Sequence, residues 1–201
     1  MKVSEAVKIT GSMTRTSKMP GLSYSLPAWE CQVGAKLRTV KGSVCSGCYA
    51  LKGNYTRYPA IKAAQYYRLQ SLYNPQWIPA MVAQIKRQKY FRWHDAGDLQ
   101  SVQHLKNIFE VCNRTPGTKH WLPTREVRYT RLMDPAIVPT NLKIIISDHM
   151  IDQKTPVKSW PYTSGVSTKS ATCPAPSQGG KCGSCRQCWD RNVARVVYGK
   201  H

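Results

Sequence analysis

The sequence predicts an α/β protein, a partial and open parallel β/α barrel with a cysteine-rich C-terminal segment. Three observations predict it. Short apolar runs alternate with helix-period stretches, acidic residues fall where those runs end, and four of the eight cysteines crowd together near the C-terminus. Strand and helix in alternation imply right-handed βαβ units and a mainly parallel sheet.

The elements follow in order. "LSYSLPA" from Leu22 reads as a first strand closing at Pro27, followed by a loop from Cys31 to Cys48. "YPAIKAAQYYRLQSLYN" reads as a helix with Pro59 in its first turn, where a missing N–H costs nothing. A second helix, "PQWIPAMVAQIKRQK", leads into a strand, "YFRWHDAGD", that ends at His94 and Asp95. "SVQHLKNIFEVCNR" places Val102, Leu105, Ile108, Phe109 and Cys112 on one helical face. "TKHWLPTRE" is a weaker strand, "RLMDPAIVP" a broken helix and "LKIIISDH" a buried strand ending at Asp148. Five strands of this kind would make an open barrel. Residues 1–201 read as one domain, with 22–170 as the α/β core and 171–201 as a cysteine-rich metal-binding segment packed on it.

Composition narrows the class. With 201 residues and 41% hydrophobic content the chain can bury a substantial core. "MKVSEAVKIT" lacks the apolar stretch of a secretory signal, and no run is long enough to span a bilayer, so the expectation is a soluble, cytoplasmic protein with no membrane partner. Thirty Lys and Arg against ten Asp and Glu give a net charge of +20. That balance favours nucleic acid, nucleotides or another polyanion as partner, although the bases are spread along the chain and form no block.

The few acids carry more information than the many bases. Asp95, Asp98, Glu126 and Asp148 sit at or just after predicted strand ends, the edge at which parallel sheets build ligand sites. His94 and His149 adjoin two of them. Helix capping is the plainer reading of Asp98. The functional reading is a pocket of His94, Asp95, Asp98, Thr124, Arg125, Glu126, Asp148 and His149, in which Arg125 binds a carboxylate or phosphate and the acids position a polar ligand or move protons.

Cys173, Cys182, Cys185 and Cys188 follow the spacing C-x8-C-x2-C-x2-C, with Gly183 and Ser184 permitting a tight turn. A reducing cytosol disfavours disulfides and leaves four thiolates to hold zinc or a [4Fe–4S] cluster. The stepped C-x2-C-x2-C favours the cluster, because structural zinc sites usually come as two separated knuckles. Cys31, Cys45 and Cys48 form a second group one ligand short of a closed site, which would leave an open iron position. Cys112, on an apolar helical face, reads as a core thiol. Both groups are expected at the same edge of the sheet.

The ordered set "LSYSLPAWEC", "CSGCYALKG", "FRWHDAGDLQS", "WLPTRE" and "TCPAPSQGGKCGSCRQCW" resembles the phage gene product 88-like family. The resemblance covers Leu22 to Trp189 and implies a phage origin, hence the host cytoplasm, and a cluster-like arrangement of cysteines. A looser, topological resemblance links the chain to radical S-adenosylmethionine enzymes. It implies S-adenosylmethionine as a cofactor, with Cys31, Cys45 and Cys48 in the loop after the first strand and Gly97, Asp98 and Thr124 near the cofactor. The C-x3-C-x2-C signature of that superfamily is absent.

Two function classes remain open at this level. One is an iron–sulfur protein, a redox or radical enzyme. The other is a zinc-stabilised basic protein that binds nucleic acid without catalysis, its tyrosines in "NYTRYPAIKAAQYYRLQ" stacking on bases.

Overall fold

The computed structural model describes residues 1–154 and 160–200. It is a mixed α/β fold built on one seven-stranded sheet. The strands are β1 (Thr14–Arg15), β2 (Leu22–Tyr24), β3 (Tyr90–Trp93), β4 (Lys119–Thr124), β5 (Leu142–Ser147), β6 (Thr163–Ser167) and β7 (Arg195–Gly199), lying side by side in chain order. β1 pairs antiparallel with β2, and every other neighbouring pair is parallel. Sequential parallel order is the winding of a β/α barrel, but β1 and β7 are free edges and the sheet is open. Six parallel strands replace the five expected: β6, "TSGVS", is a polar stretch, and β7, "RVVYG", is a short run after the cysteines.

The helices are α1 (Val3–Thr10), α2 (Gln32–Leu37), α3 (Asn54–Arg57), α4 (Pro59–Ser71), α5 (Trp77–Ile85), α6 (Val102–Asn113) and α7 (Val127–Thr130). Each of the longer ones has a local cause. Pro59 opens α4 with Tyr58 extended before it, as a pre-proline residue must be. Ser101 caps α6, its hydroxyl accepting the His104 amide at 3.0 Å. Leu105, Ile108, Phe109 and Cys112 of α6 are buried as the periodicity predicts, and Val102 is partly buried against the same core.

Side-chain alternation divides the sheet into two faces. Phe91 and Trp93 of β3, Leu122 of β4 and Ile144 and Ile146 of β5 meet Trp77, Met81 and Ile85 of α5 and the apolar face of α6 in the main core. The intervening residues, Tyr90, Trp121 and Ile145, face the other way and meet Trp189, Cys188, Tyr162 and Tyr198. Helices cover one face. The cysteine-rich segment covers the other.

Candidate functional site

The C-terminal ends of β2 to β5 carry a connected polar network. After β3 the chain turns at Gly97, whose φ is +80° and whose added Cβ would lie 2.6 Å from Leu26 Cβ and 2.8 Å from Leu26 O. Only glycine fits there. The turn delivers Asp98 to the end of β4, where its carboxylate accepts the Thr124 hydroxyl at 2.6 Å, the Arg125 amide at 2.9 Å and the Leu99 amide at 2.8 Å. Burial pushes Asp98 up to about 6 despite those three donors. Glu126 reaches back to α2, accepting the amides of Val33 at 2.8 Å and Gln32 at 3.1 Å, so a carboxylate faces the first turn after Cys31. Arg125 donates to the Asp148 carbonyl at 3.0 Å, and the Asp148 carboxylate pairs with Arg195 of β7 at 2.5 Å.

This network holds the N-terminal cysteines. The Cys31 and Cys45 sulfurs both lie close to Gly34: a Cβ there would stand 3.7 Å from the first and 3.8 Å from the second. The loop with Cys45 is tied to the segment after β5 by Val44 N–H to His149 O at 2.9 Å and Ile151 N–H to Gly42 O at 3.0 Å. Burial pushes the Cys31 and Cys45 thiols up, and the Asp98 charge adds to the effect on Cys31. Asp98, Thr124, Arg125, Glu126 and Asp148 are thus linked by hydrogen bonds at the strand ends, beside the segments that carry Cys31 and Cys45.

Two residues of that reading lie elsewhere. His94 is buried, has φ +54° and packs on Trp93 and His104, on the core side of the sheet. Neither of its ring nitrogens has a hydrogen-bond partner among the described residues. Asp95 turns toward the loop with Cys48, accepting the Tyr55 hydroxyl at 2.9 Å while its carbonyl accepts from Tyr49.

Cys173, Cys182, Cys185 and Cys188 line a single cavity with Pro174, Gln187, Trp189 and Val196. Gly183, at φ +53°, makes the turn between the second and third cysteine. The segment is pinned to the open face of the sheet. Lys143 of β5, 1% exposed, donates to the carbonyls of Gln187 at 2.8 Å, Asp190 at 2.7 Å and Val193 at 2.8 Å. Trp189 donates to Phe91 O at 2.9 Å, Cys173 to Val197 O at 3.0 Å and Cys182 to Lys18 O at 2.8 Å. These anchors spread the second group across the face of the sheet, whereas the first stands at its edge.

As a test of fit for a metal centre, donor type and seclusion agree: four thiols share one cavity beside Trp189 and Val196. Burial raises Cys188 to about 11, and Tyr198 donates or accepts a 3.3 Å contact with its sulfur. Spacing agrees less well. The cavity is about 20 Å³, and no three His, Cys, Asp or Glu side chains among the described residues stand at metal-holding geometry.

Sequence reasoning passed over Lys143, Arg92 and Tyr198. The signal was a lone base within an apolar strand, Lys143 in "LKIIIS" and Arg92 in "YFRW". Arg92 is half-buried, and Lys143 is buried, as a charge is only when something polar requires it.

Comparison with curated proteins finds no match, and neither does comparison with solved structures. The topological likeness to radical S-adenosylmethionine enzymes therefore gains no support. A family model does match, over residues 2–191, and its coverage includes both cysteine groups and every strand through β6. On that match the chain belongs to the Gene product 88 family.

Proposed function

We propose that the protein is a phage-encoded iron–sulfur redox protein whose principal centre, a [4Fe–4S] cluster, is held by Cys173, Cys182, Cys185 and Cys188. The observation that carries this reading is the convergence of those four thiols on one cavity, together with their stepped spacing. Cys31, Cys45 and Cys48 supply at most a partial coordination sphere. Beside them Asp98, Thr124, Arg125 and Glu126 would receive a small polar or anionic ligand, of which S-adenosylmethionine is one test case. When bound, the cluster supplies single electrons. The chain's own part is to seclude it, hold its thiolates and place the ligand at the strand edge.

A second reading keeps the four cysteines and replaces the cluster by zinc. The cavity of about 20 Å³ favours it, being room for a single ion. Under this reading the protein binds nucleic acid. Between Trp29 and Tyr73 the single acid Glu30 stands against Lys36, Arg38, Lys41, Lys52, Arg57 and Lys62 besides the buried Arg68, and Tyr58, Tyr66, Tyr67 and Tyr73 are exposed on or beside α4.

Anaerobic purification with iron, sulfide and zinc analysis separates the readings. The expected outcome is a brown protein whose visible absorption is abolished by Cys185→Ala, with loss of fold stability, and largely kept in Cys45→Ala. A colourless, zinc-loaded protein establishes the second reading. A colourless Cys45→Ala beside a brown Cys185→Ala moves the principal centre to the strand edge.

A further inference from the structure

A cavity of about 430 Å³ opens at the other end of the strands. It is bounded by the turn between β1 and β2 and by Gln88, just before β3, so it lies at the N-terminal edge of the parallel strands, away from Asp98 and Cys31. Its volume falls within the roughly 300–1,000 Å³ of small-molecule sites. Four polar side chains line it: Arg15, Thr16, Ser17 and Gln88. None of the four makes a side-chain hydrogen bond or ion pair with another group among the described residues. The Thr16 hydroxyl is shut from solvent as well, so its partner has to come from outside the chain. At the Asp98 edge, by contrast, the polar groups bond one another.

The set is one of donors. A guanidinium offers its N–H groups in a planar fork, and two hydroxyls and an amide stand with it. Residues 6–29 and 86–94, which supply every wall of the cavity, contain no Asp or Glu. The wall at Gly21 lies directly on β3: a Cβ there would stand 2.1 Å from Tyr90 O. Over the ring of that same Tyr90 stand Lys89 and Arg186, 5.9 and 5.0 Å from its centroid. Met19, Pro20 and Leu22 give the rest of the lining an apolar surface. The turn is held in place by the β1–β2 pairing and by the Cys182 amide, which donates to Lys18 O at 2.8 Å.

We propose that this cavity binds a small phosphate ester of nucleotide size, its phosphate held by Arg15, Thr16 and Ser17 and its organic part lying on Met19, Pro20 and Leu22. Donors without a carboxylate among them select an anion, and the guanidinium fork matches two oxygens of a phosphate. The cavity has more room than a bare phosphate fills, and its apolar lining has no use for one, so the ligand is an ester. Gln88 is placed to bond the polar edge of the organic part. The phosphate belongs either to a free nucleotide or to the 5′ end of a nucleic acid strand, the chemistry recognised being the same. The site uses neither cysteine group and none of the Asp98 network, so it stands whichever metal the cysteines hold.

The test is isothermal titration calorimetry at one fixed ionic strength, on wild type, Arg15→Met, Thr16→Val and Lys36→Met, each checked for fold by circular dichroism. Arg15 and Lys36 are both exposed, so each change removes one positive charge without disturbing the core. The probes are adenosine 5′-monophosphate, adenosine, inorganic phosphate, and one single-stranded oligonucleotide with and without a 5′-phosphate. The nucleotide should bind wild type, phosphate should bind more weakly, and adenosine should give no heat. Arg15→Met should weaken the nucleotide about tenfold and Thr16→Val about threefold, since each loses a hydrogen bond to a charged group. Lys36→Met should leave it unchanged. Binding of the oligonucleotide that needs both its 5′-phosphate and Arg15, with no binding of free nucleotide, assigns the phosphate to a strand end. Equal losses in Arg15→Met and Lys36→Met would reduce the attraction to net charge and overturn the inference. So would a wild type that binds none of the phosphate compounds, or adenosine that binds as tightly as its phosphate.

Discussion

Three buried histidines set the response of the fold to acid. His94, His104 and His120 are 4% exposed or less, and burial depresses all three, His104 and His120 to about 3. Their ordinary value is near 6.5, so between pH 6.5 and about 3 the unfolded chain binds protons that the native state refuses. Stability is complete above pH 6.5 and falls as pH drops through that window, by about 1.4 kcal/mol per unit for each histidine. Urea unfolding at pH 7.5, 6.0 and 5.0 should show this decline. His120→Gln, which can keep a polar contact to the Thr115 hydroxyl now at 2.9 Å from Nε2, should flatten the slope by about a third. An unchanged slope would mean that His120 is protonated in the native state.

At the scale of elements, one side chain of β5 makes three of the bonds that hold the cysteine-rich segment on the sheet. The Lys143 ammonium uses all three protons on the carbonyls of Gln187, Asp190 and Val193. Lys143→Met keeps the volume and orphans three carbonyls, a loss of roughly 3 kcal/mol or more, since hydrogen bonds to a charged group contribute about 1.5–3 kcal/mol each. The damage should be local. Hydrogen exchange followed by mass spectrometry should show residues 173–193 losing protection while α5 and α6 keep theirs; uniform loss would show that the segment and the sheet unfold as one unit. The same elements show what local pattern can and cannot reveal. α4, α5 and α6 were legible because proline, a capping serine and apolar periodicity act within the element. β6 and β7 were not, because "TSGVS" and "RVVYG" are strands only through the neighbours they pair with.

For the whole molecule, charge is the dominant global property. Under the second proposed reading, the +20 charge should let the protein bind single-stranded oligonucleotides; among the described residues no helix is long and apolar enough to cross a membrane. Fluorescence anisotropy with a labelled oligonucleotide should give an affinity that falls with salt, with a slope of about −0.7 per phosphate contacted. Tyr58→Ala with Tyr73→Ala, at 49% and 86% exposed tyrosines, should weaken binding by about 1–3 kcal/mol per stacked base without altering that slope. Equal affinity in the double variant would reduce the interaction to charge alone. By itself the sequence determined the α/β class, the three long helices, the placing of acids at strand ends and the grouping of cysteines into a four and a three, because each is written in local spacing. Tertiary structure decided the rest. It added β6 and β7 to the sheet, turned His94 into the core and laid the four cysteines across the face under Lys143. Those outcomes depend on which of two faces a strand residue points to and on which distant backbone needs a partner. A period of two residues leaves that choice to packing.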